Sequence, residues 1–109
     1  MNSFGLKDSE QEIIRAVLRR HAEVTEAKIF GSRAKGNFQP NSDIDLALWG
    51  NIPISTIAMI AGELEELPLP YTFDVQAYDA IRHQPLREHI DRVGKSFYIQ
   101  AEEKTAVKK

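Results

Sequence analysis

The stretch GSRAKGNFQPNSDIDL, residues 31–46, contains the spacing of residues that indicates the chemistry of this chain. It places a Gly-Ser pair ten residues ahead of an Asp-x-Asp pair formed by Asp43 and Asp45. An extended segment, residues 24–30, runs up to the Gly-Ser pair, which would then close a strand with a tight turn. Backbone N–H groups and a hydroxyl at such a turn can face a phosphate, and only glycine lets the chain come that close.

The next segment, residues 43–49, predicts a strand because apolar and polar side chains alternate along it. Side chains two apart on a strand point the same way, about 6.5 Å along it, so Asp43 and Asp45 would be neighbouring carboxylates. Two such groups repel each other unless a cation lies between them. Mg²⁺ prefers oxygen ligands, and a pair of such ions needs a third carboxylate.

A third carboxylate is supplied by residues 71–77, YTFDVQA, where the alternation places Asp74 on the polar side of another strand. We expect this strand to lie beside the one that carries Asp43 and Asp45. The three acidic side chains would then converge on one exposed face of the sheet. This is the arrangement that a two-metal site requires.

Composition narrows the function further. The chain has 109 residues, 14 Lys and Arg against 16 Asp and Glu, a net charge of −2 and no cysteine. Without a basic stripe, a template-reading polymerase or direct nucleic-acid binding is not expected. The absence of cysteine removes disulfides and Cys-based zinc sites, and no apolar run suits a signal peptide or the ~20 residues of a membrane span. We therefore expect a cytoplasmic protein.

The pattern of elements predicts one α/β (α+β) domain, 1–109, with a core at about 9–100 and a polar tail at 101–109. The expected architecture is a small mixed sheet with helices packed on one face, which leaves the carboxylates on the open face. A capping box of Ser9 and Glu12 predicts the start of the first helix. The predicted helices cover 9–22, a short turn at 33–36, 53–67, and a last one from Asp79 or Pro85 to a cap at Gly94; the strands are 24–30, 43–49, 71–77 and 95–100.

The Gly-Ser, Asp-x-Asp and later strand Asp together resemble the nucleotidyltransferase superfamily of DNA polymerase beta, and the short chain resembles its smallest branch, the minimal nucleotidyltransferase (MNT) proteins. The resemblance implies the polymerase beta-like fold. It also implies that Gly31 and Ser32 hold a triphosphate, that Asp43 and Asp45 bind metal, and that Asp74 completes the metal site and helps to activate the attacking hydroxyl.

The activity that this resemblance implies is transfer of a nucleoside monophosphate, AMP from ATP, to a hydroxyl with the help of two Mg²⁺ ions. MNT proteins of this size are often encoded beside a HEPN-type RNase toxin, and some are antitoxins that adenylylate a tyrosine of that toxin. Because the chain has no second domain to hold an acceptor, a partner protein is the expected acceptor, and a hetero-oligomer is possible on this hypothesis.

Several alternatives stay open at this point. Arg33 and Lys35 could neutralise phosphates or decorate a solvated turn, and Ser42 could bind the nucleotide or cap the loop. Trp49 and Tyr78 could stack a base, although their positions at strand ends favour packing. The chain could also be a non-catalytic module that neutralises a partner by contact, or a transferase that acts on a small molecule.

Overall fold

The structure is a computed structural model and describes residues 2–101; the predicted tail lies, apart from Ala101, outside the described residues. Its helices are α1 (Asp8–Arg19), α2 (Gly31–Lys35), α3 (Ile54–Glu65) and α4 (Gln84–Val93), with a 3₁₀ turn at Tyr78–Ala80. Its strands are β1 (Asn2–Ser3), β2 (Leu6–Lys7), β3 (Glu26–Phe30), β4 (Ile44–Trp49), β5 (Phe73–Ala77) and β6 (Lys95–Ile99). None of the helices in the described range is long and apolar enough to cross a membrane.

The main sheet has four strands in the order β5-β4-β3-β6. β3 pairs antiparallel with both β4 and β6, whereas β4 and β5 run parallel and are joined by α3. A parallel pair needs a crossover of this kind, because its strands start at the same end of the sheet. In the parallel ladder Ile44 is beside Phe73 and Asp45 is beside Asp74.

One face of the sheet carries the main aliphatic core. Ile44, Leu46 and Leu48 of β4 are buried there, as the alternation of the sequence predicts. Helices α1 and α3 cover this face and contribute Ile14 and Leu64, which are fully buried in the same cluster. The strand pattern thus sends every second residue of β4 into the core and the intervening ones to the other face.

The opposite face carries the acidic residues and is partly covered by α4. Phe30 of β3 and Ala47 of β4 are buried there with Ile90 of α4. The fold class is as predicted, and the one-sided packing of helices holds for α1 and α3. It needs correction for α4, which lies on the face that we expected to be open. The local sequence of α4 shows that it is amphipathic, but its sheet partner is set by tertiary packing.

The N-terminus forms a hairpin of β1 and β2 that the sequence did not lead us to expect. Its two-residue turn places Phe4 and Gly5 at positive φ, of 60° and 74°, and Phe is an unusual residue for that conformation. The hairpin also shifts the start of α1. The capping contact is made by Glu10, whose carboxylate accepts the Lys7 N–H at 2.9 Å, so the predicted box of Ser9 and Glu12 is wrong by two residues.

Other predicted boundaries differ by a few residues, as expected where helix and strand ends fray. β3 begins at Glu26 and β5 at Phe73, each two residues later than predicted, and α1 ends at Arg19. Asp43 precedes β4 instead of opening it. Gly94 follows α4 in an extended conformation, so it does not form a left-handed cap.

Candidate active site

The Gly-Ser turn lies directly against the Asp-x-Asp strand. Gly31 has a φ of 73°, and a Cβ atom at this position would collide with the Asp45 carboxylate. Two independent constraints therefore require glycine here, namely the left-handed backbone and the close approach. Ser32 follows in the first turn of α2 and is half-buried. The structure thus places Gly31 and Ser32 beside Asp45, while their role towards a phosphate stays a prediction.

Asp45 and Asp74 form the centre of the acidic site. They are register partners in the parallel β4–β5 ladder, and neighbours in such a ladder present their side chains on the same face. Asp74 is exposed, so it is neither buried under Asp45 nor turned into the core. Asp43 lies two residues before Asp45 and is also exposed. The structure therefore brings all three predicted carboxylates to one region.

The electrostatics of Asp45 reflect this crowding. Burial, followed by the negative charges of Asp74 and Asp43, raises the pKa of the Asp45 carboxyl from its ordinary value of 3.8 to about 6, and the Arg33 charge opposes the increase. A carboxylate with a raised pKa and two acidic neighbours is one that a cation would stabilise. Three carboxylates are also the hard oxygen donors that Mg²⁺ prefers, so the chemistry of this donor set fits a divalent ion.

The other two acids have partners within the protein. The Thr72 hydroxyl donates a hydrogen bond to Asp43, and the Gln76 amide donates to Asp74 at 3.1 Å. In the range 2–101, no three acidic or histidine side chains are gathered closely enough to form a metal-ligand group. The three predicted carboxylates therefore lie on one face of the sheet, but they are not close enough together to form a metal site. Their role as metal ligands stays a prediction.

Thr72 and Gln76 are residues of the site that we did not single out from the sequence. They alternate with Asp74 on the polar side of the segment YTFDVQA. The sequence therefore indicated that both residues share a face with Asp74, because a strand places residues i and i+2 on one face. What the sequence could not show is that these two side chains hydrogen-bond to the acids.

Arg33, which we predicted to bind nucleotide, has a different position in the structure. Its side chain is 2% exposed, and its guanidinium donates to the carbonyls of Phe4, Pro40 and Ser42 at 2.9–3.2 Å. It is also in cation–π contact with the rings of Phe38 and Tyr71, at 5.2 and 4.9 Å. The solvated-turn alternative is therefore wrong, and the nucleotide-binding role of Arg33 stays a prediction. Arg33 is an internal support of the loop that precedes Asp43, and it has little surface left for a phosphate.

Ser42 and Lys35 are the two remaining polar candidates, and one is engaged within the loop whereas the other is exposed. The Ser42 hydroxyl accepts the Gln39 N–H at 2.8 Å, which is the loop-capping alternative rather than the nucleotide-binding one. Lys35 ends α2 and is exposed. The sequence offered both Arg33 and Lys35 as phosphate-neutralising cations, and the structure leaves Lys35 as the exposed one of the two.

Trp49 and Tyr78 pack against each other instead of presenting a free ring to a base. Their rings stack with centroids 4.6 Å apart, beside the cluster that α4 closes. The Tyr78 hydroxyl donates to Asp91 at 2.6 Å, and this hydrogen bond, followed by burial, raises the tyrosine pKa. This outcome matches the packing interpretation of both residues.

A known protein family matches the part of the chain that contains this site. The model of the family described as "Polymerase beta, Nucleotidyltransferase" matches residues 12–103, which include the Gly-Ser turn and all three acids.

The chain belongs to the polymerase beta nucleotidyltransferase family.

It is accordingly an enzyme, a nucleotidyltransferase. One curated relative is the "Probable protein adenylyltransferase MntA" of Haemophilus influenzae, which is 31% identical over 113 residues and matches 99% of this chain and 96% of the relative. The relationship therefore extends over almost the whole length of both proteins.

Solved structures share the fold. A chain from a crystal structure described as a toxin-antitoxin with AMP-PNP superposes with a TM-score of 0.70 at 24% identity, over 90% of this chain and 82% of that one. A chain from the complex of a tri-AMPylated Shewanella oneidensis HEPN toxin with an MNT antitoxin superposes with a TM-score of 0.63 at 17% identity, over 88% and 75%. At these identities the likeness concerns the fold.

Proposed function

We propose that this chain transfers AMP from ATP to a hydroxyl of a HEPN-type toxin protein and thereby acts as an antitoxin. The observation that carries the proposal is the register that sets Asp45 beside Asp74, with the Gly31 turn against Asp45. The relatives support the choice of acceptor. The Haemophilus relative is named a protein adenylyltransferase, and the Shewanella complex contains an AMPylated HEPN toxin.

Mg²⁺ is the cation that this proposal assigns to Asp43, Asp45 and Asp74. Bound there, it would neutralise charge on the phosphates and lower the pKa of the attacking hydroxyl. The protein's own contribution is to hold the acids in place. Pairing of β4 with β5 fixes Asp45 and Asp74, and the loop that Arg33 supports fixes Asp43.

The reaction that follows is a displacement at phosphorus. The acceptor hydroxyl oxygen attacks the α-phosphorus of ATP, and the bond from that phosphorus to the oxygen bridging to the β-phosphate breaks. Pyrophosphate leaves with the electron pair of the broken bond, and the hydroxyl proton departs towards the Asp74 carboxylate. Gly31 and Ser32 would hold the leaving phosphates, because the backbone at this turn approaches the site closely.

The test is adenylylation of the partner. The chain is purified with the HEPN-type protein encoded beside its gene and incubated with ATP and Mg²⁺, and intact mass shows whether an adenylate is added. Asp74→Ala should abolish the addition while the fold survives, because Asp74 is exposed. Asp79→Ala is the matched control, since it truncates an exposed acid just beyond the end of β5.

Co-expression of each variant with the partner, scored by cell growth, separates the rival functions. If the pair Asp43→Asn and Asp45→Asn still neutralises the partner, contact rather than catalysis explains the protection. If no adenylate reaches the partner in the presence of the wild-type chain, the proposed acceptor is wrong. A small-molecule acceptor would then be tested with the same ATP, Mg²⁺ and mass measurement.

A further inference from the structure

The two edges of the main sheet differ in how they are protected. β5 and β6 are its outer strands. An edge strand presents unpaired N–H and C=O groups, which can pair with another chain, and natural proteins usually block such edges.

The β6 edge is blocked. Its ladder with β3 shifts register between Ala27 and Lys28, and an irregularity of this kind makes an edge a poor template. In addition, Arg15 of α1 donates to the Phe97 carbonyl at 2.8 Å, and its guanidinium lies 4.5 Å from the centre of the Phe97 ring. Another chain cannot pair regularly with this edge.

The β5 edge has a different arrangement, which follows from the direction of its backbone groups. The Ile44 N–H donates to the Thr72 carbonyl at 2.9 Å, so Thr72 and every second residue after it direct their backbone groups towards β4. The intervening residues, Phe73, Val75 and Ala77, therefore direct their N–H groups outwards. The Phe73 N–H does so, because it donates to the Glu65 carboxylate at 2.9 Å.

Glu65 thus occupies only the first position of this edge. Among the residues that the structure describes, no backbone hydrogen bond occupies the N–H groups of Val75 and Ala77. This open part of the edge, residues 75–77, lies beside the predicted catalytic acid, since Asp74 immediately precedes it. The unprotected edge and the exposed carboxylate are therefore one continuous surface.

We propose that this open edge docks the acceptor polypeptide as an added extended strand, which brings its hydroxyl-bearing side chain to Asp74. The proposal rests on the proposed function and names the surface by which the acceptor is recognised. An added strand would lie about 4.8 Å from β5. Side chains directly opposite each other in paired strands are about 5 Å apart at Cβ, and long side chains reach diagonal positions, so a tyrosine hydroxyl can reach Asp74.

The outward N–H groups of this open edge would recognise the acceptor through its main chain. Main-chain hydrogen bonds to residues 75–77 would supply affinity, and alternate side chains of the added strand would face the acids or the opposite side. The occupant is an extended segment of the acceptor protein, because the outward N–H groups of Val75 and Ala77 are donors for main-chain carbonyls. A small molecule would gain nothing from the edge.

The test replaces one N–H group. Val75→Pro removes the outward donor without removing a bond to β4, and proline is tolerated at edge positions whose N–H faces away from the sheet. We expect adenylylation of the HEPN-type partner to be at least about tenfold slower, while the thermal stabilisation of the chain by ATP and Mg²⁺ is unchanged. Val75→Ala is the matched control, because it keeps the N–H while it reduces the packing of the side chain against the core, and it should therefore adenylylate the partner faster than Val75→Pro does.

The outcomes distinguish this proposal from the proposed function. Equal adenylylation by the wild type and Val75→Pro would overturn the docking proposal and leave the function intact. If the wild type adds no adenylate, or if Val75→Pro does not fold, amide hydrogen exchange of the wild-type complex with the same partner decides. Exchange at Val75 and Ala77 that slows by about tenfold on complex formation supports docking, and unchanged exchange at both overturns it.

Discussion

Arg33 of α2 and Asp45 of β4 are charged residues in neighbouring parts of the fold, and they differ in how their charges are stabilised. Arg33 is 2% exposed, and its guanidinium is bound to the carbonyls of Phe4, Pro40 and Ser42. Asp45 has negative neighbours, and no hydrogen bond to its carboxylate is found within residues 2–101. One charge is stabilised by the scaffold, and the other has acidic neighbours and no hydrogen-bond donor among the described residues.

This difference separates folding from function. A buried cation with carbonyl partners holds a loop in one conformation, whereas an acid with a raised pKa costs stability while it is ionised. The sequence predicted metal binding for Asp45 and offered phosphate neutralisation as one of two roles for Arg33. Substitutions of Arg33 should therefore act mainly on stability, and those of Asp45 mainly on activity.

The largest effect is expected from Asp45→Asn. Adenylyl transfer should fall by on the order of 10³-fold, because the central carboxylate of the site is lost. In the absence of divalent cations the variant should nevertheless be more stable than the wild type. A pKa raised to about 6 corresponds, after discounting for solvent screening, to on the order of 1 kcal/mol. Transfer rates and urea unfolding measure the two effects, and a destabilised variant would contradict the comparison.

Arg33→Met should have the next largest effect, and on stability. It would leave buried carbonyls without donors, at a cost of about 3 kcal/mol in the free energy of unfolding. Arg33→Lys keeps the charge but not the planar set of donors, so we expect an intermediate loss. Arg92→Met, at an exposed position of α4, is the control and should change stability by less than about 0.5 kcal/mol. If Arg33→Met unfolds at the urea concentration of Arg92→Met, the support role is wrong.

Gly31→Ala tests the contact between the turn and Asp45. We expect about a hundredfold slower transfer, because the added Cβ would displace the Asp45 carboxylate, and a stability loss of about 1–2 kcal/mol from the positive φ. Gly36→Ala is a matched control. Gly36 also has positive φ, of 90°, but its Cβ would meet nothing within 4 Å. It should therefore lose similar stability and keep its activity, and equal activities of the two variants would argue against the contact.

The smallest effect is expected in the pH dependence of stability. Because the folded-state pKa of Asp45 is raised to about 6, the folded chain takes up a proton at higher pH than the unfolded chain does. The unfolding free energy of the wild type relative to Asp45→Asn should therefore increase as the pH falls from 7 to about 4, by on the order of 1 kcal/mol. Urea unfolding in EDTA at several pH values measures this difference. If the variant's advantage in unfolding free energy over the wild type grew as the pH fell, the raised pKa of Asp45 would be contradicted.

The strands and their faces could be predicted because a period of two assigns each side chain to one face of a sheet. This is why Asp45 and Asp74 were placed together from sequence alone, and their register agrees. Helix positions followed from apolar spacing, with ends displaced by a few residues.

What could not be predicted depends on contacts between distant segments. The burial of Arg33 needs carbonyls from the N-terminal hairpin and from the loop before Asp43 to converge on it. The position of α4 against Phe30 depends on which sheet face has room for it. A local pattern records neither of these, because it describes one segment at a time.

The strand order has a consequence for synthesis of the chain. β3 lies inside the sheet and pairs with β6, whose residues 95–99 leave the ribosome after all the other strands. One side of β3 therefore stays without its partner until nearly all of the domain has emerged, and Asp45 and Asp74 are already translated by then. Completion of the sheet, and with it protection of the newborn domain from proteases, is delayed until this last strand has emerged.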